Sequence, residues 1–187
     1  QAPLWLQLGM ELALQIGIRR SDVCSLKLSD YKEGRLRFIP AKTADLPQPA
    51  AISIAMAGDL FERSWRMSPL SPFFLHRSSV IQHPQNDRAE GREHRTQILP
   101  DQLSKAFKKS RDAAVQVYPE LVAGLGVQAM PGFHEIRSLC AWLYKEKGRS
   151  AEEVQLLFGH SDKDMTEYYQ SGHAIEWQET WAGLDVK

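Results

Sequence analysis

The stretch between Phe133 and Tyr169 holds His134, Arg137, His160 and a pair of adjacent tyrosines. Histidine exchanges protons near neutral pH, arginine binds anionic oxygens with a planar fork of N–H donors, and a tyrosine phenol can act as a covalent nucleophile. His134 and Arg137 are three residues apart, so on a helix they project from one face. We therefore take this stretch as the candidate catalytic centre.

Three short helices are predicted to carry these side chains. On the first, an apolar stripe at helical spacing predicts a buried face and aims the pair His134 and Arg137 away from the core; its members are Ile136, Leu139, Cys140 and Leu143. Gly148 has the position of a glycine that ends a helix, and Ser150 with Glu153 has the capping-box spacing that begins the second helix. The next glycine ends that helix, and the adjacent tyrosines fall on a third.

Together these residues resemble the signature of the tyrosine recombinases, the phage integrase family. The catalytic domain of that family carries an H-x-x-R motif, then L-G-H, then a tyrosine nine residues after that histidine. Here the first motif reads H-E-I-R from His134 to Arg137, the second reads F-G-H and ends at His160, and Tyr169 lies nine residues further on. Within the family the sequence is most similar to the integrases of lambda-like phages.

Two motifs near the start extend the resemblance over nearly the whole chain. The family's T-G-x-R-x-x-E/D segment is similar to I-G-I-R-R-S-D at residues 16–22, which offers Arg19 as its arginine. The family also places a lysine in a β-hairpin, and Lys42 lies where a predicted strand enters a loop with two prolines. Taken alone, Arg19 reads as a solvated corner residue that pairs with Asp22, and Lys42 as a solubility feature.

The resemblance implies covalent catalysis on DNA. Tyr169 would attack a phosphodiester, the 5′-oxygen would leave, and a 3′-phosphotyrosine would conserve the bond until a second 5′-hydroxyl reverses the step. Arg19 and Arg137 would stabilise the charge that develops on the nonbridging oxygens, because guanidinium groups are planar and permanently charged. The scheme requires no metal or other cofactor, and the sequence offers no H-x-x-x-H motif to hold a metal.

Proton transfer falls to the remaining residues of the set. Lys42 would protonate the leaving 5′-oxygen, since a lysine can lose its proton and an alkoxide is a poor leaving group. His134 would accept or share the tyrosine proton, and His160 would donate a hydrogen bond to the phosphate. The nine-residue spacing alone selects Tyr169 over Tyr168, which reads better as a packing aromatic.

The chain departs from the family pattern at three places. Phe158 stands where the L-G-H motif has leucine, Arg20 follows the arginine of the first motif, and residues 162–164 carry acids where the family is often neutral or basic. All three lie outside the catalytic set, so they bear on DNA affinity more than on the chemistry.

A chain of 187 residues is long enough for one well-cored domain, and we expect a single catalytic domain over residues 1–187. It begins with Gln1 without the layout of a signal peptide, which favours a fragment of a longer protein. The resemblance implies a separate helical DNA-binding domain before it. No apolar run approaches 18 residues, so a transmembrane helix is not expected, and Cys24 and Cys140 read as free buried thiols of a cytosolic protein.

The charge is balanced, with 23 basic and 23 acidic residues, which counts against a nonspecific, strongly electrostatic DNA binder. Its distribution is uneven: residues 86–111 hold seven Lys or Arg against four acids, whereas residues 152–187 hold two against eight. Cations on one predicted helix face are candidates for phosphate contact, with an ordinary solvated face as the equal alternative. They are Lys105, Lys108, Lys109 and Arg111.

The predicted fold class is α+β, a mainly helical catalytic domain with a small antiparallel three-stranded sheet, as the resemblance also implies. Apolar spacing predicts helices over residues 4–16, over 57–68 with Trp65 facing inward, and from a cap at Asp101 with Ala114 and Val117 facing inward. Alternating apolar residues place the strands between residues 26 and 56.

The remaining segments carry weaker patterns. Ser21 or Asp22 is expected to cap the helix that follows Arg19. Residues 69–100 are expected to form an irregular surface loop with a short strand at 73–75. The alternating run at 184–186 is expected to cover the edge of the small sheet as an added strand.

The leading hypothesis is the catalytic domain of a site-specific DNA recombinase that integrates or excises a phage or mobile element. The resemblance implies these partners: double-stranded DNA with attachment-type core sites, other protomers in a tetramer on a Holliday junction with exchange of the C-terminal segment, and accessory DNA-bending proteins. It implies that the protein does not bind a membrane and that it acts at the nucleoid, in the cytoplasm of a bacterial host. Two alternatives stay open: a catalytically silent DNA-binding or assembly module of the same fold, and a metal-dependent hydrolase that uses His134 and His160.

Overall fold

The computed structural model describes residues 2–77, 92–126, 130–158 and 177–184. Within these ranges the chain is mainly helical with one small sheet, which confirms the α+β class. The helices and strands in chain order are α1 (Leu4–Ile16), α2 (Arg20–Ser25), β1 (Tyr31–Lys32), β2 (Arg35–Phe38), β3 (Ala51–Ala55), α3 (Asp59–Met67), α4 (Pro100–Val117), α5 (Glu135–Glu146), α6 (Ala151–Phe158) and β4 (Trp177–Trp181). Among the described helices, none is long and apolar enough to cross a membrane.

Helix α1 is the centre of the core because apolar side chains cover most of its circumference. Its buried members are Leu6, Leu8, Gly9, Leu12, Ala13 and Ile16. It packs against α2, α3, α4 and α5. Gly17 ends it in the left-handed region at φ 62°, and the Gly17 N–H donates to the carbonyl of Ala13 at 2.9 Å. The predicted helix and its glycine end are confirmed.

Among the described residues, the sheet has four strands in the order β1-β2-β3-β4, one more than predicted. The first three are antiparallel, whereas β4 runs parallel to β3, with Ala51 opposite Trp177 and Ala55 opposite Trp181. The C-terminal segment therefore does cover the open edge of the sheet. The strand lies earlier in the chain than the predicted run at 184–186, because residues 177–181 supply the pairing residues. Leu184 is buried beyond the end of the strand, and residues 185–187 lie outside the described part.

Two segments pack differently from their sequence patterns. In α3, Trp65 is 54% exposed, and Ser64 is buried in its place because its hydroxyl donates to the carbonyl of Phe74 at 2.6 Å. The segment around Phe74 is part of the core rather than a surface loop, and it forms isolated bridges, Lys27 to Phe73 and His76 to Gln97, instead of the predicted strand. Residues 78–91 of the predicted loop lie outside the described ranges.

The predicted residues also do not cap the first turns of α2 and α4. Helix α4 begins with Pro100 at its first position, and the side chain of Gln102, not Asp101, receives the N–H of Leu99 at 3.2 Å. Neither Ser21 nor Asp22 caps α2. The C-terminal half of α4 extends past the core, so Ala114 and Val117 are exposed rather than buried.

Both cysteines are free and buried, as expected. Burial raises the pKa of Cys24 and of Cys140 to about 12. Because the thiolate is the reactive form, neither thiol is a nucleophile at neutral pH.

The turn between α5 and α6 forms from local sequence signals. The Gly148 N–H donates to the carbonyl of Lys145 at 2.9 Å and the Arg149 N–H to that of Tyr144 at 3.0 Å, which is the Schellman arrangement. The Ser150 N–H donates to the Glu153 carboxylate at 2.9 Å, and the Glu153 N–H to the Ser150 hydroxyl at 3.2 Å, so the predicted capping box is confirmed.

Replacing Gly148 with alanine tests how much this turn contributes. Gly148 has φ 79°, and an added Cβ would meet no atom within 4 Å, so the substitution adds backbone strain alone. We expect Gly148→Ala to lower the free energy of unfolding by about 1 kcal/mol, measured by urea denaturation. The matched control is Gly126→Ala, also in open space but without a positive φ, which should change it by less than about 0.5 kcal/mol. Equal losses in the two variants would contradict the assignment.

Candidate active site

Arg137 lies on the inner face of α5, with only 7% of its surface exposed. Its guanidinium donates to the carbonyl of Gly17, to the carbonyl of Phe158 at 3.1 Å, and lies 4.1 Å over the centre of the Phe158 ring. The prediction that Arg137 points away from the core is therefore wrong. The face that α5 buries carries Arg137, Cys140 and Tyr144, whereas Leu139 is 46% exposed.

The ends of two helices supply the acceptors around Arg137. Gly17 follows the last residue of α1 and Phe158 is the last residue of α6. Helix C-termini carry carbonyls without intrahelical donors and a partial negative charge, so both ends favour a cation. Burial, and then the nearby charge of Arg19, lowers the pKa of Arg137 to about 10, so the group stays protonated at neutral pH.

The two consecutive arginines after α1 point to different places. Arg19 forms a long ion pair with Asp22, at 3.9 Å between Nη1 and Oδ2, and its side chain is 19% exposed. Arg20 instead donates to the hydroxyl of Ser104 on α4 at 2.7 Å. Of the two, Arg19 is the one that acts electrostatically on Arg137.

Asp22 connects Arg19 with the loop that carries Lys42. Its carboxylate is buried and accepts the backbone N–H of Ala41 at 2.8 Å. Lys42 follows directly, with its side chain exposed, in the loop between β2 and β3. The residue predicted to be the proton donor is thus on a loop whose backbone is hydrogen-bonded to α2, the helix that begins directly after Arg19.

His134 lies immediately before α5, at the same end as Arg137. Its carbonyl accepts the backbone N–H of Arg137 at 3.0 Å, and its side chain is exposed. His160, Tyr168 and Tyr169 lie outside the described residues, so their predicted roles remain predictions.

The predicted phosphate-binding cations of α4 divide into two kinds. Lys105, Lys108 and Lys109 are exposed. Arg111 is instead held by the protein, with bonds to the Asp112 carboxylate at 2.6 Å and to the carbonyl of Pro131 at 2.7 Å. In the described ranges, no three His, Cys, Asp or Glu side chains stand together as metal ligands would.

Three structural roles at the site are not evident from the residues alone. The Gly17 carbonyl binds Arg137, the Phe158 ring stacks on it, and Asp22 holds the Lys42 loop. Asp22 occupies the acidic position of the first motif, so the sequence does indicate that this residue matters. Nothing in the sequence indicates that its partner is the backbone N–H of Ala41. Gly17 signals a helix end, but nothing near it in the sequence indicates a guanidinium.

Similar proteins of known sequence are integrases of phages. The chain is 31% identical over 178 residues to the integrase of Escherichia phage lambda and 30% identical over 182 residues to that of Escherichia phage HK022. Each alignment covers 94% of this chain, but 44% and 43% of those proteins. The chain therefore spans less than half the length of the curated relatives it matches.

Solved structures of similar fold come from the same group. The lambda integrase catalytic core matches with a TM-score of 0.61 and 27% identity, over 84% of each chain. A lambda integrase tetramer bound to a Holliday junction matches with a TM-score of 0.58 and 28% identity, over 94% of this chain and 44% of that one. The sequence profile of the phage integrase family matches residues 1–174. Because this match spans most of its length, the chain belongs to the phage integrase family, the tyrosine recombinases.

Proposed function

We propose that this chain is the catalytic part of a site-specific DNA recombinase that cleaves and rejoins DNA through a 3′-phosphotyrosine, for integration or excision of a phage or mobile element. The observation that carries the proposal is the burial of a guanidinium, that of Arg137, between the carbonyl ends of α1 and α6, where the charge of Arg19 also acts on it. The positive charge of Arg19 disfavours that of Arg137, and an anion bound by both arginines would relieve the repulsion. A phosphodiester is the anion that matches two planar forks of N–H donors.

In the proposed reaction the arginines bind the nonbridging oxygens of the scissile phosphate. Charge on these oxygens grows toward the transition state, so donors already fixed in place lower the barrier without reorganising. The contacts of Arg137 with the carbonyls of Gly17 and Phe158 fix the plane of its guanidinium. Arg19 completes the pair from the start of α2.

The proton transfers are assigned to Lys42, His134 and the residues outside the described ranges. Tyr169 attacks the phosphorus, and its proton passes to His134 or is shared with it. Lys42 gives a proton to the departing 5′-oxygen, so that a hydroxyl rather than an alkoxide leaves. His160 donates a hydrogen bond to the phosphate. The 5′-hydroxyl of a second strand then attacks the phosphotyrosine, and the same groups act in reverse.

The DNA partner is inferred from relatives. Lambda integrase has been solved as a dimer bound to a COC′ core site and as a tetramer bound to a Holliday junction. We infer that this chain acts on core-type attachment sites in double-stranded DNA, within a tetramer, as part of a longer protein with a separate DNA-binding domain. The exposed lysines of α4 are candidates for phosphate contact. DNA-bending accessory proteins, and action on DNA in the cytoplasm of a bacterial host, belong to the same proposal.

The C-terminal strand is assigned a role in that assembly. In the isolated chain β4 pairs with β3 of the same chain. We infer that in the tetramer this strand passes to a neighbouring protomer, since an edge strand can pair equally with another chain. Because the strand follows Tyr169 closely, its transfer would also change the position of the nucleophile.

A catalytically silent DNA-binding module is the second candidate, and the zero net charge is the observation that favours it. A nicked suicide duplex separates the two. After cleavage a short fragment diffuses away, so a recombinase stays covalently attached to the DNA, without added metal. A silent module binds the duplex and forms no adduct, and a hydrolase that uses His134 and His160 cuts only when metal is supplied.

Tyr169→Phe should abolish covalent adducts while DNA affinity stays unchanged, because the substitution removes one oxygen and little surface. Adducts are measured on the nicked duplex by denaturing gel, and affinity by gel shift. Tyr168→Phe is the matched control and should retain activity. Adducts from Tyr169→Phe but not from Tyr168→Phe would mean that the neighbouring phenol is the nucleophile.

Arg19→Lys should slow single-turnover cleavage by roughly a hundredfold or more, since a point charge does not reproduce a two-pronged contact and one lost oxyanion donor costs about 3 kcal/mol. Arg137→Lys should do the same. The matched control is Arg20→Lys, because Arg20 binds Ser104 and not the site. The assignment fails if Arg19→Lys cleaves at the parental rate or if Arg20→Lys is equally slow.

Lys42→Ala should be slow on ordinary DNA and largely restored on a 5′-bridging phosphorothiolate, whose sulfur leaves without a proton. The measurement compares single-turnover cleavage of the two substrates by parent and variant. Lys32→Ala, an exposed lysine on β1, is the control and should match the parent on both. If the sulfur substrate does not restore cleavage, Lys42 is not the general acid.

A further inference from the structure

Phe158 contacts the guanidinium of Arg137 in two ways. Its ring lies under the face of the guanidinium, 4.1 Å from the ring centre to Cζ, and its carbonyl accepts from Nη2 at 3.1 Å. At this position the family motif has leucine, whose side chain offers no π-face to a cation. The carbonyl contact is available to any residue, whereas the stacking contact depends on the aromatic ring.

The ring of Phe158 packs directly against the backbone of Gly17. A Cβ on Gly17 would lie 1.9 Å from Cε1 of Phe158, so the ring occupies the space that a side chain at position 17 would take. The carbonyl of the same glycine accepts from Nη1 of Arg137. Phe158 is 7% exposed, like Arg137, so the stack is shielded from water, which strengthens an electrostatic contact of this kind.

These contacts restrict the guanidinium in complementary directions. The two carbonyls, at the ends of α1 and α6, determine how the plane of donors is rotated, and the ring limits how far that plane can tilt. If an arginine that must present its N–H groups to a phosphate is allowed to tilt, the rate of cleavage falls even though the charge stays in place. DNA affinity depends mainly on charge and changes less.

We propose that Phe158 is a positioning residue for the reaction, which holds the guanidinium of Arg137 in its phosphate-binding orientation by stacking beneath it. This inference rests on the proposed function, because it assigns Phe158 a role only through Arg137. In this chain the aromatic ring is thus part of the support of the site, although the position lies outside the catalytic set.

The test compares Phe158→Leu, which restores the leucine of the motif, with Phe158→Tyr, which keeps a ring, in the full protein. Phe61→Leu is the matched control, because Phe61 is 5% exposed but stacks on Tyr31 rather than on a cation. Single-turnover cleavage is measured on a nicked duplex carrying the attachment site of the protein's own element, and affinity on the intact duplex. We expect Phe158→Leu to cleave about tenfold more slowly with DNA affinity unchanged, and Phe158→Tyr and Phe61→Leu to cleave at the parental rate.

A second readout follows the stack without DNA. The Nε–H proton of Arg137 in nuclear magnetic resonance spectra should be shifted upfield by the ring below it, should return downfield in Phe158→Leu, and should stay upfield in Phe158→Tyr. Parental cleavage by Phe158→Leu, or an Arg137 resonance that does not move in it, overturns the positioning role while the proposed function stands. If the parent itself forms no adduct, the proposed function fails and the positioning role with it, whatever the spectrum shows.

Discussion

A buried guanidinium is the constraint on which the rest of the site depends. Removing an arginine from water costs several kcal/mol unless its charge and its N–H groups find partners. For Arg137 these partners are the carbonyl ends of α1 and α6, at Gly17 and Phe158, where unpaired acceptors and the helix dipoles both favour a cation. The three helices α1, α5 and α6 are therefore fixed to one another by the residue that we propose to bind phosphate. The packing of these helices and the placement of the Arg137 N–H donors therefore depend on the same contacts.

Asp22 plays the matching role for the other half of the site. An acid in the first turn of α2 is favoured by the positive end of that helix, and here it also offsets the repulsion between Arg19 and Arg137. Its second bond, to the N–H of Ala41, sets where the loop before β3 begins. Two carbonyls hold Arg137, and the long ion pair with Asp22 restrains Arg19. Lys42, one residue beyond Ala41, remains exposed. This division suits the proposed chemistry, in which the phosphate must be fixed but a proton donor must approach and leave.

The sequence predicted those features that are decided by near neighbours. The helix end at Gly17 and the capping box of Ser150 and Glu153 form from residues a few positions apart. The motifs that predicted Arg19, Lys42, His134 and Arg137 as site residues are also short segments, although they are spread along the chain. The orientation of α5 could not be predicted, because Arg137 finds its partner Gly17 120 positions away in the chain. For the same reason the predictions that Trp65 faces inward and that the last strand lies at 184–186 are wrong. The hydrogen bond of Ser64 to Phe74 and the parallel pairing of β4 with β3 both depend on segments distant in the chain.

The C-terminal segment is joined to the arginine site through the core as well as through the sheet. Beyond β4, the N–H of Gly183 donates to the hydroxyl of Tyr144 at 3.0 Å, and that hydroxyl donates to the carbonyl of Gln15 at 2.6 Å. Tyr144 lies on the same buried face of α5 as Arg137, and Gln15 lies two residues before Gly17. Because the phenol is buried, losing the Gly183 donor changes the hydrogen bonding at the point where α5 meets α1. If this strand leaves β3, as we propose for the tetramer, the change reaches the two helices that hold Arg137. The hydrogen bonds then form a contiguous physical route from the transfer of β4 to the arginine that we propose to bind phosphate.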